Sequence, residues 1–286
     1  MVKVVWFPAW ACQNYTYGKS YGERCPYCPY SLDRESNRLI YNDQITSSDE
    51  RAELGDLVDF FRANAEEMGY RLEISGGEPL MRMDLPAILS SVDHEWAITS
   101  NTLMSTAIDR LVNANTLGRC FSWTASWHPL SGMEDAYARN VSTLSEGGVR
   151  AKATVVLSDK TIPALRDTLE FLRSLPIAGI NWHLDTHDAT QDAEAVRAKA
   201  KDILKDDSVM LAGPPKSGVV CNKNAKLLAV SPDGTLYHCV SYAYSNKNPI
   251  TKVNGSVKLS ELPSLVEWCD DPCFACCDHI KHEEAQ

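Results

Sequence analysis

The chain has 286 residues, 44% hydrophobic and 23% charged, with a formal net charge of −10 and a pI near 5.2. That composition supports one large core with a small appendage rather than a disordered chain, and the acidic balance argues against a nucleic-acid partner, whose phosphates require clustered Lys and Arg. The start, Met1-Val2-Lys3-Val4-Val5-Trp6-Phe7-Pro8, has no signal-peptide pattern, and no run of ~18 apolar residues follows, so a cytoplasmic protein with no membrane partner is expected.

In chain order, the first predicted strand, Val2 to Phe7, leads into Cys12, Cys25 and Cys28, spaced Cys-x12-Cys-x2-Cys. They are three of ten cysteines, and without an export signal metal binding or thiol chemistry is a more natural use for them than disulfides. Structural zinc takes four ligands, whereas an iron–sulfur cluster with one open iron needs three. Ser48 to Met68 follows with Leu54, Leu57, Val58 and Phe61 at helical spacing. The next strand, Arg71 to Ser75, ends on Gly76-Gly77-Glu78-Pro79. Glycines there let backbone approach closely, Glu78 receives an ammonium or orients the loop, and Pro79 fixes the exit.

Further strands are predicted at Ala97 to Ser100, Phe121 to Ser126, Ala151 to Leu157 and Gly179 to Leu184, with a helix over Ile162 to Leu175 that carries Pro163 in its first turn. Six such units make an α/β protein, a partial (β/α)6 barrel, with reactive residues after the C-terminal ends of the strands. Polar residues at those ends are Ser100, Asn101, Ser126, His128, Ser158, His183 and Asp185, each a candidate for ligand binding or for capping the next helix. Trp10, Trp123, Trp127 and Trp182 fall where they line a pocket or fill the core.

A polar helix, Ala193 to Lys205, runs into the linker Gly213-Pro214-Pro215-Lys216-Ser217-Gly218, which divides the chain into units 1–212 and 213–286. The second unit opens with a hairpin, Leu227 to Val230 and Thr235 to Val240 around Ser231-Pro232-Asp233-Gly234. Its cysteines follow the pattern Cys221-x12-Gly234-x4-Cys239, then Cys273-x2-Cys276, with Cys269 and Cys277 as alternative ligands. The spacing fits a closed metal site, zinc included.

The three-cysteine loop after the first strand, with the aromatic Tyr27 before the third cysteine, and the Gly-Gly-Glu-Pro segment after the second strand together resemble the radical S-adenosylmethionine (SAM) superfamily. The first cysteine gap departs from the family's usual three residues, with twelve here. The resemblance implies a [4Fe-4S] cluster on Cys12, Cys25 and Cys28, with SAM at its open iron and against Tyr27, Gly76, Gly77, Glu78 and Pro79. It further implies that Ser100, Asn101, Ser126 and His128 contribute to SAM or substrate. The cluster, reduced by an electron donor such as flavodoxin or ferredoxin, would split SAM into methionine and a 5′-deoxyadenosyl radical that takes hydrogen from substrate.

The back unit resembles the twitch form of the SPASM-like auxiliary-cluster domain, in spacing the inosamine dehydrogenase type of aminoglycoside pathways. This implies a small hairpin-plus-helix domain with an auxiliary [4Fe-4S] cluster on Cys221, Cys239, Cys273 and Cys276. The expected reaction is dehydrogenation or epimerisation of a small hydroxylated or amino-bearing metabolite, with Cys120 or a spare tail cysteine as hydrogen donor in the epimerase case. Because the first strand begins at residue 2, no peptide-binding domain is expected before it. The alternatives are a peptide or protein maturase forming a thioether, carbon–carbon or formylglycine-type product, and a non-catalytic zinc or electron-transfer protein.

Overall fold

The structure is a computed structural model, described for residues 2–10, 51–185, 192–205, 219–223, 227–246, 248–262 and 265–269. Cys12, Cys25, Tyr27, Cys28, Cys273, Cys276, Cys277 and the linker 213–218 lie outside these residues.

Six strands run in chain order across one parallel sheet: β1 (Lys3–Trp6), β2 (Arg71–Ile74), β3 (Glu95–Ser100), β4 (Cys120–Trp127), β5 (Lys152–Leu157) and β6 (Gly179–Leu184). Helices connect them: α1 (Leu54–Ala63), α2 (Leu85–Ser91), α3 (Ser105–Asn113), α4 (Glu134–Glu146) and α5 (Leu165–Arg173), with α6 (Ala193–Leu204) after β6. Each helix buries a stripe, as α1 does with Leu57, Val58, Phe60 and Phe61, and α6 with Val196, Ala200 and Leu204. The predicted helix at Ile162 begins as a 3-10 turn, Ile162–Ala164, before α5. Among the described residues no helix is long and apolar enough to cross a membrane.

The strands alternate. Leu72 and Ile74, Trp96 and Ile98, Trp123, Ala125 and Trp127, Ala153, Val155 and Leu157, and Trp182 and Leu184 point into the helix-covered core. Trp123, Trp127 and Trp182 are therefore core residues rather than pocket lining, and Trp96 meets Trp123 edge-on at 6.2 Å. The intervening positions are mostly polar and part-exposed, including Glu73, Thr124, Ser126, Thr154, Asn181 and His183.

The back unit's hairpin is continuous with this sheet. Strand β8 (Leu227–Val230) runs parallel to β1 and pairs with it from Lys3↔Leu227 to Trp6↔Val230, then turns back as β9 (Thr235–Tyr237) and β10 (Pro249–Lys252), giving the order β10-β9-β8-β1-β2-β3-β4-β5-β6. The turn needs Gly234, at φ 79° and within a would-be Cβ distance of 2.8 Å of Ala52. A helix, α7 (Val240–Ser245), covers the other face of β1 and β8, where Val5, Phe7, Trp10, Leu227, Ala229, Tyr237, Cys239 and Val240 form a second apolar cluster. Thus β1 and β8 are buried on both faces, as parallel strands usually are. A separate pair, β7 (Val219–Lys223) with β11 (Leu265–Cys269), is antiparallel and sets Cys221 opposite Glu267 and Cys269 opposite Val219.

Candidate active site

The Gly76-Gly77-Glu78-Pro79 turn leaves β2 beside the exit of β1. The Ser75 N–H donates to the Trp6 carbonyl at 3.0 Å, and the Gly77 N–H donates to the Ala9 carbonyl at 3.0 Å. Gly76 has φ 127°, and a Cβ there would lie 2.6 Å from the Ala9 oxygen. Only glycine meets both demands. The chain thus enters the segment carrying Cys12 while clamped against the glycine pair, a cradle consistent with one site built from the two motifs.

Glu78 is fully buried. Its Oε1 accepts from Leu80 N at 3.0 Å and Ser100 Oγ at 2.8 Å, and its Oε2 accepts from Asn101 N at 2.8 Å. Burial pushes its carboxyl up to about 7, against the pull of these donors. Its carboxylate therefore orients the loop by binding the end of β3, the second of the two roles the sequence suggested. Pro79 starts a 3-10 turn, Pro79–Met81.

Ser100 and Asn101 are brought against Glu78. Ser100 Oγ also accepts from Thr102 N at 2.9 Å, and Asn101 Oδ1 accepts from Leu103 N at 3.1 Å. Thr102 has φ 61°, a left-handed conformation costly for a β-branched residue. It is held from three sides: Trp123 Nε1 donates to its Oγ1 at 3.0 Å, Asn140 Nδ2 donates to its carbonyl at 2.8 Å, and Ser100 accepts from its N–H. Neither Thr102 nor Asn140 stands out in the sequence, because the bond between them ends on a backbone carbonyl, which carries no side-chain signature.

Arg82 belongs to no motif in the sequence. It is buried, stacks over Trp6 at 5.4 Å, pairs with Asp84 at 2.8 Å, and donates to the carbonyls of Ala52 at 2.9 Å and Pro232 at 3.4 Å. An arginine inside Leu80-Met81-Arg82-Met83 is the available signal for a buried hub. It ties the motif loop to the chain just before α1 and to the turn between β8 and β9.

Ser126 and His128 lie at the end of β4, two strands away from Glu78. Ser126 is part-exposed on the polar face. Burial pushes the His128 imidazole down to about 4, so it is neutral near pH 7. His183 is likewise lowered by burial. Ser158 closes the turn that leads into the 3-10 segment Ile162–Ala164: its N–H donates to Thr161 Oγ1 at 2.8 Å, and its Oγ accepts from Thr161 N at 3.3 Å. Asp185 is buried just beyond β6.

Cys120 does not join these groups. It begins β4, so the rest of that strand, roughly 23 Å of extended chain, separates it from the end bearing Ser126 and His128. Burial pushes its thiol up to about 12, and its Sγ faces the Ser122 carbonyl at 3.5 Å. The raised thiol keeps the S–H that a hydrogen donor needs, but the position at the start of β4 opposes its expected use beside the motif loop. Cys239 is buried at the start of α7, Cys221 lies in β7, and Trp10 stacks on Phe7 at 5.0 Å in the second cluster. Among the described residues no group of three or more His, Cys, Asp and Glu comes together as a metal site.

No protein-family model matches the chain, and no curated protein sequence matches it. Solved structures do. Streptococcus suis SuiB bound to S-adenosylmethionine superposes with a TM-score of 0.53 at 12% identity over 87% of this chain and 60% of that one. SuiB bound to precursor peptide SuiA gives 0.55 at 13% over 88% and 62%. Native anSMEcpe with bound AdoMet and Kp18Cys peptide gives 0.55 at 12% over 91% and 80%. The chain spans about 60% of the length of SuiB. Identity this low carries the fold.

Proposed function

We propose that this chain, which has the fold of the radical SAM enzymes SuiB and anSMEcpe, is itself a radical SAM enzyme and that its substrate is a peptide. The observation that carries the first part is the clamp of Gly76 and Gly77 onto the Ala9 carbonyl, which sets the glycine motif at the mouth of the Cys12 segment. Cys12, Cys25 and Cys28 would hold a [4Fe-4S] cluster, three ligands being the set that leaves room for SAM. When bound, the two would supply the radical chemistry that removes a hydrogen atom from substrate.

The chain's own residues give position. Glu78 fixes the Gly76-Gly77 backbone by holding Ser100 and Asn101, so that loop amides rather than a mobile carboxylate face the ligand. Neutral His128 borders the same end of the sheet on the nucleoside side, and Ser126, on the polar face beside Thr154, is turned to substrate. Cys221, Cys239, Cys273 and Cys276 are the proposed auxiliary-cluster ligands, with Cys269 the alternative that the β7–β11 register favours, two residues along the partner strand from the position opposite Cys221. The peptide substrate is supported by the bound peptides of SuiB and anSMEcpe, and we prefer it to the small hydroxylated or amino-bearing metabolite that the resemblance to the inosamine dehydrogenase type implies. Cys120 has no part in the reaction.

The test is anaerobic reconstitution with iron and sulfide, followed by measurement of iron and of 5′-deoxyadenosine formed from SAM and a reductant, in the wild type and in Cys28→Ala and Cys239→Ala. About eight irons per chain are expected for two four-iron clusters, with 5′-deoxyadenosine formation abolished in Cys28→Ala. Well-loaded protein that leaves SAM intact, or protein that takes up zinc alone, would refute the proposal.

A further inference from the structure

A parallel sheet is ordinarily covered on both faces, yet the face of β4, β5 and β6 opposite the core presents hydroxyls and amides. Ser126 pairs with Thr154, and Thr154 with Asn181, so the three stand side by side on adjacent strands. Thr124 lies one step towards the strands' N-terminal ends, opposite Lys152, and His183 one step towards their C-terminal ends, opposite Val156. All are part-exposed except Lys152, which is exposed. Among the described residues no hydrogen bond to the side chains of Thr124, Ser126, Thr154, Asn181 or His183 occurs, so their donors and acceptors remain open.

The face is also nearly uncharged. Lys3 pairs with Glu73 at 2.9 Å and Arg71 with Glu95 at 3.4 Å, on β1, β2 and β3. Burial lowers the proton affinity of His183. A charged group brought onto the row would lose its water, which is costly, and the one charge on this face of β4–β6 among the described residues, Lys152, lies at the N-terminal end of β5, one side-chain step from Thr154. Serine, threonine and asparagine side chains each donate and accept, matching the alternating N–H and C=O of a peptide. From β4 to β6 the row spans roughly 10 Å, the length of about three extended residues.

We infer that the row Ser126, Thr154 and Asn181 is the floor on which an uncharged stretch of the substrate peptide lies, crossing the strands with its backbone amides on these side chains. This rests on the peptide reading above and adds to it a preference: neutral residues, not acidic or basic ones, occupy the segment that the sheet receives.

The experiment uses the cluster-loaded full chain with SAM and reads saturation-transfer NMR signals from end-blocked probes: Gly-Ser-Asn-Gly, Gly-Asp-Glu-Gly and Gly-Lys-Arg-Gly peptides, and myo-inositol. Thr154→Val and Asn181→Leu keep the shape and remove the hydrogen bonds. The neutral peptide is expected to give the strongest signal in the wild type and to weaken about three- to tenfold in each variant, the effect of losing one neutral hydrogen bond, while SAM affinity stays unchanged. A charged peptide binding best, inositol binding better than any peptide, neutral-peptide binding indifferent to both variants, or SAM affinity falling in them would each overturn the inference. Absence of SAM binding by the wild type would instead refute the radical SAM proposal, and the peptide preference is read without it.

Discussion

Gly76 illustrates how one missing side chain can carry a site. Its φ of 127° and the 2.6 Å approach of the Ala9 oxygen mean that Gly76→Ala must move either the motif loop or the exit of β1. We expect this variant to melt lower by the equivalent of about 1–3 kcal/mol and to bind SAM at least tenfold more weakly by isothermal titration; unchanged affinity would show that the clamp is not part of the site. His94 is the opposite case, a buried imidazole whose two nitrogens have no hydrogen-bond partner among the described residues, packed against the rings of Phe61 and Tyr70. Burial lowers its proton affinity, Asp93 opposing and Arg119 adding to the effect. The unfolded chain therefore binds a proton that the folded chain refuses, and this histidine's effect on stability is an acid penalty that grows as pH falls below about 6.5. His94→Leu is expected to raise the melting temperature, more at pH 5 than at pH 8, in paired thermal scans; an equal shift at both values would remove the histidine from the acid response.

At the scale of elements, the end of β3 is organised by α4. Asn140 on α4 holds the carbonyl of left-handed Thr102, whose N–H and hydroxyl are bound by Ser100 and Trp123, and Ser100 in turn binds Glu78. Asn140→Leu leaves that carbonyl unsatisfied and should cost about 1–3 kcal/mol in denaturant unfolding, with a matching loss of SAM affinity; stability loss with full affinity would confine the network to folding. Much of this was legible beforehand. The six parallel strands and the helices α1, α5 and α6 follow from apolar alternation and helical spacing, whereas α2, α3 and α4 carry no spacing that the sequence analysis singles out, and the Gly-Gly-Glu-Pro turn, Ser100 and Asn101 fall at strand ends. The left-handed Thr102, the Asn140 anchor and the Arg82 hub were not legible, because each serves a backbone carbonyl or a charge brought near only by folding. The strand faces were readable in principle: Thr154 between Ala153 and Val155, and Asn181 between Ile180 and Trp182, mark an uncovered side.

For the whole molecule, the hairpin after the linker belongs to the main sheet as much as to any second unit. Removing residues 213–286 would leave the β1 edge unpaired, strip Val5, Phe7 and Trp10 of their apolar partners and leave Arg82 without the Pro232 carbonyl. The 1–212 fragment is expected to aggregate or to melt without a cooperative transition; a soluble fragment with a sharp melt would show that the first six strands close their own core. The same pairing has a kinetic side. Lys3 lies opposite Leu227, so during synthesis the first strand leaves the ribosome long before its neighbour exists. At about 5–20 residues per second, that neighbour arrives roughly 10–45 s later. Even after β2 has paired with one edge of β1, the edge that receives β8 stays bare through that interval, and its protection by a chaperone decides whether the chain reaches its native state or pairs with another copy.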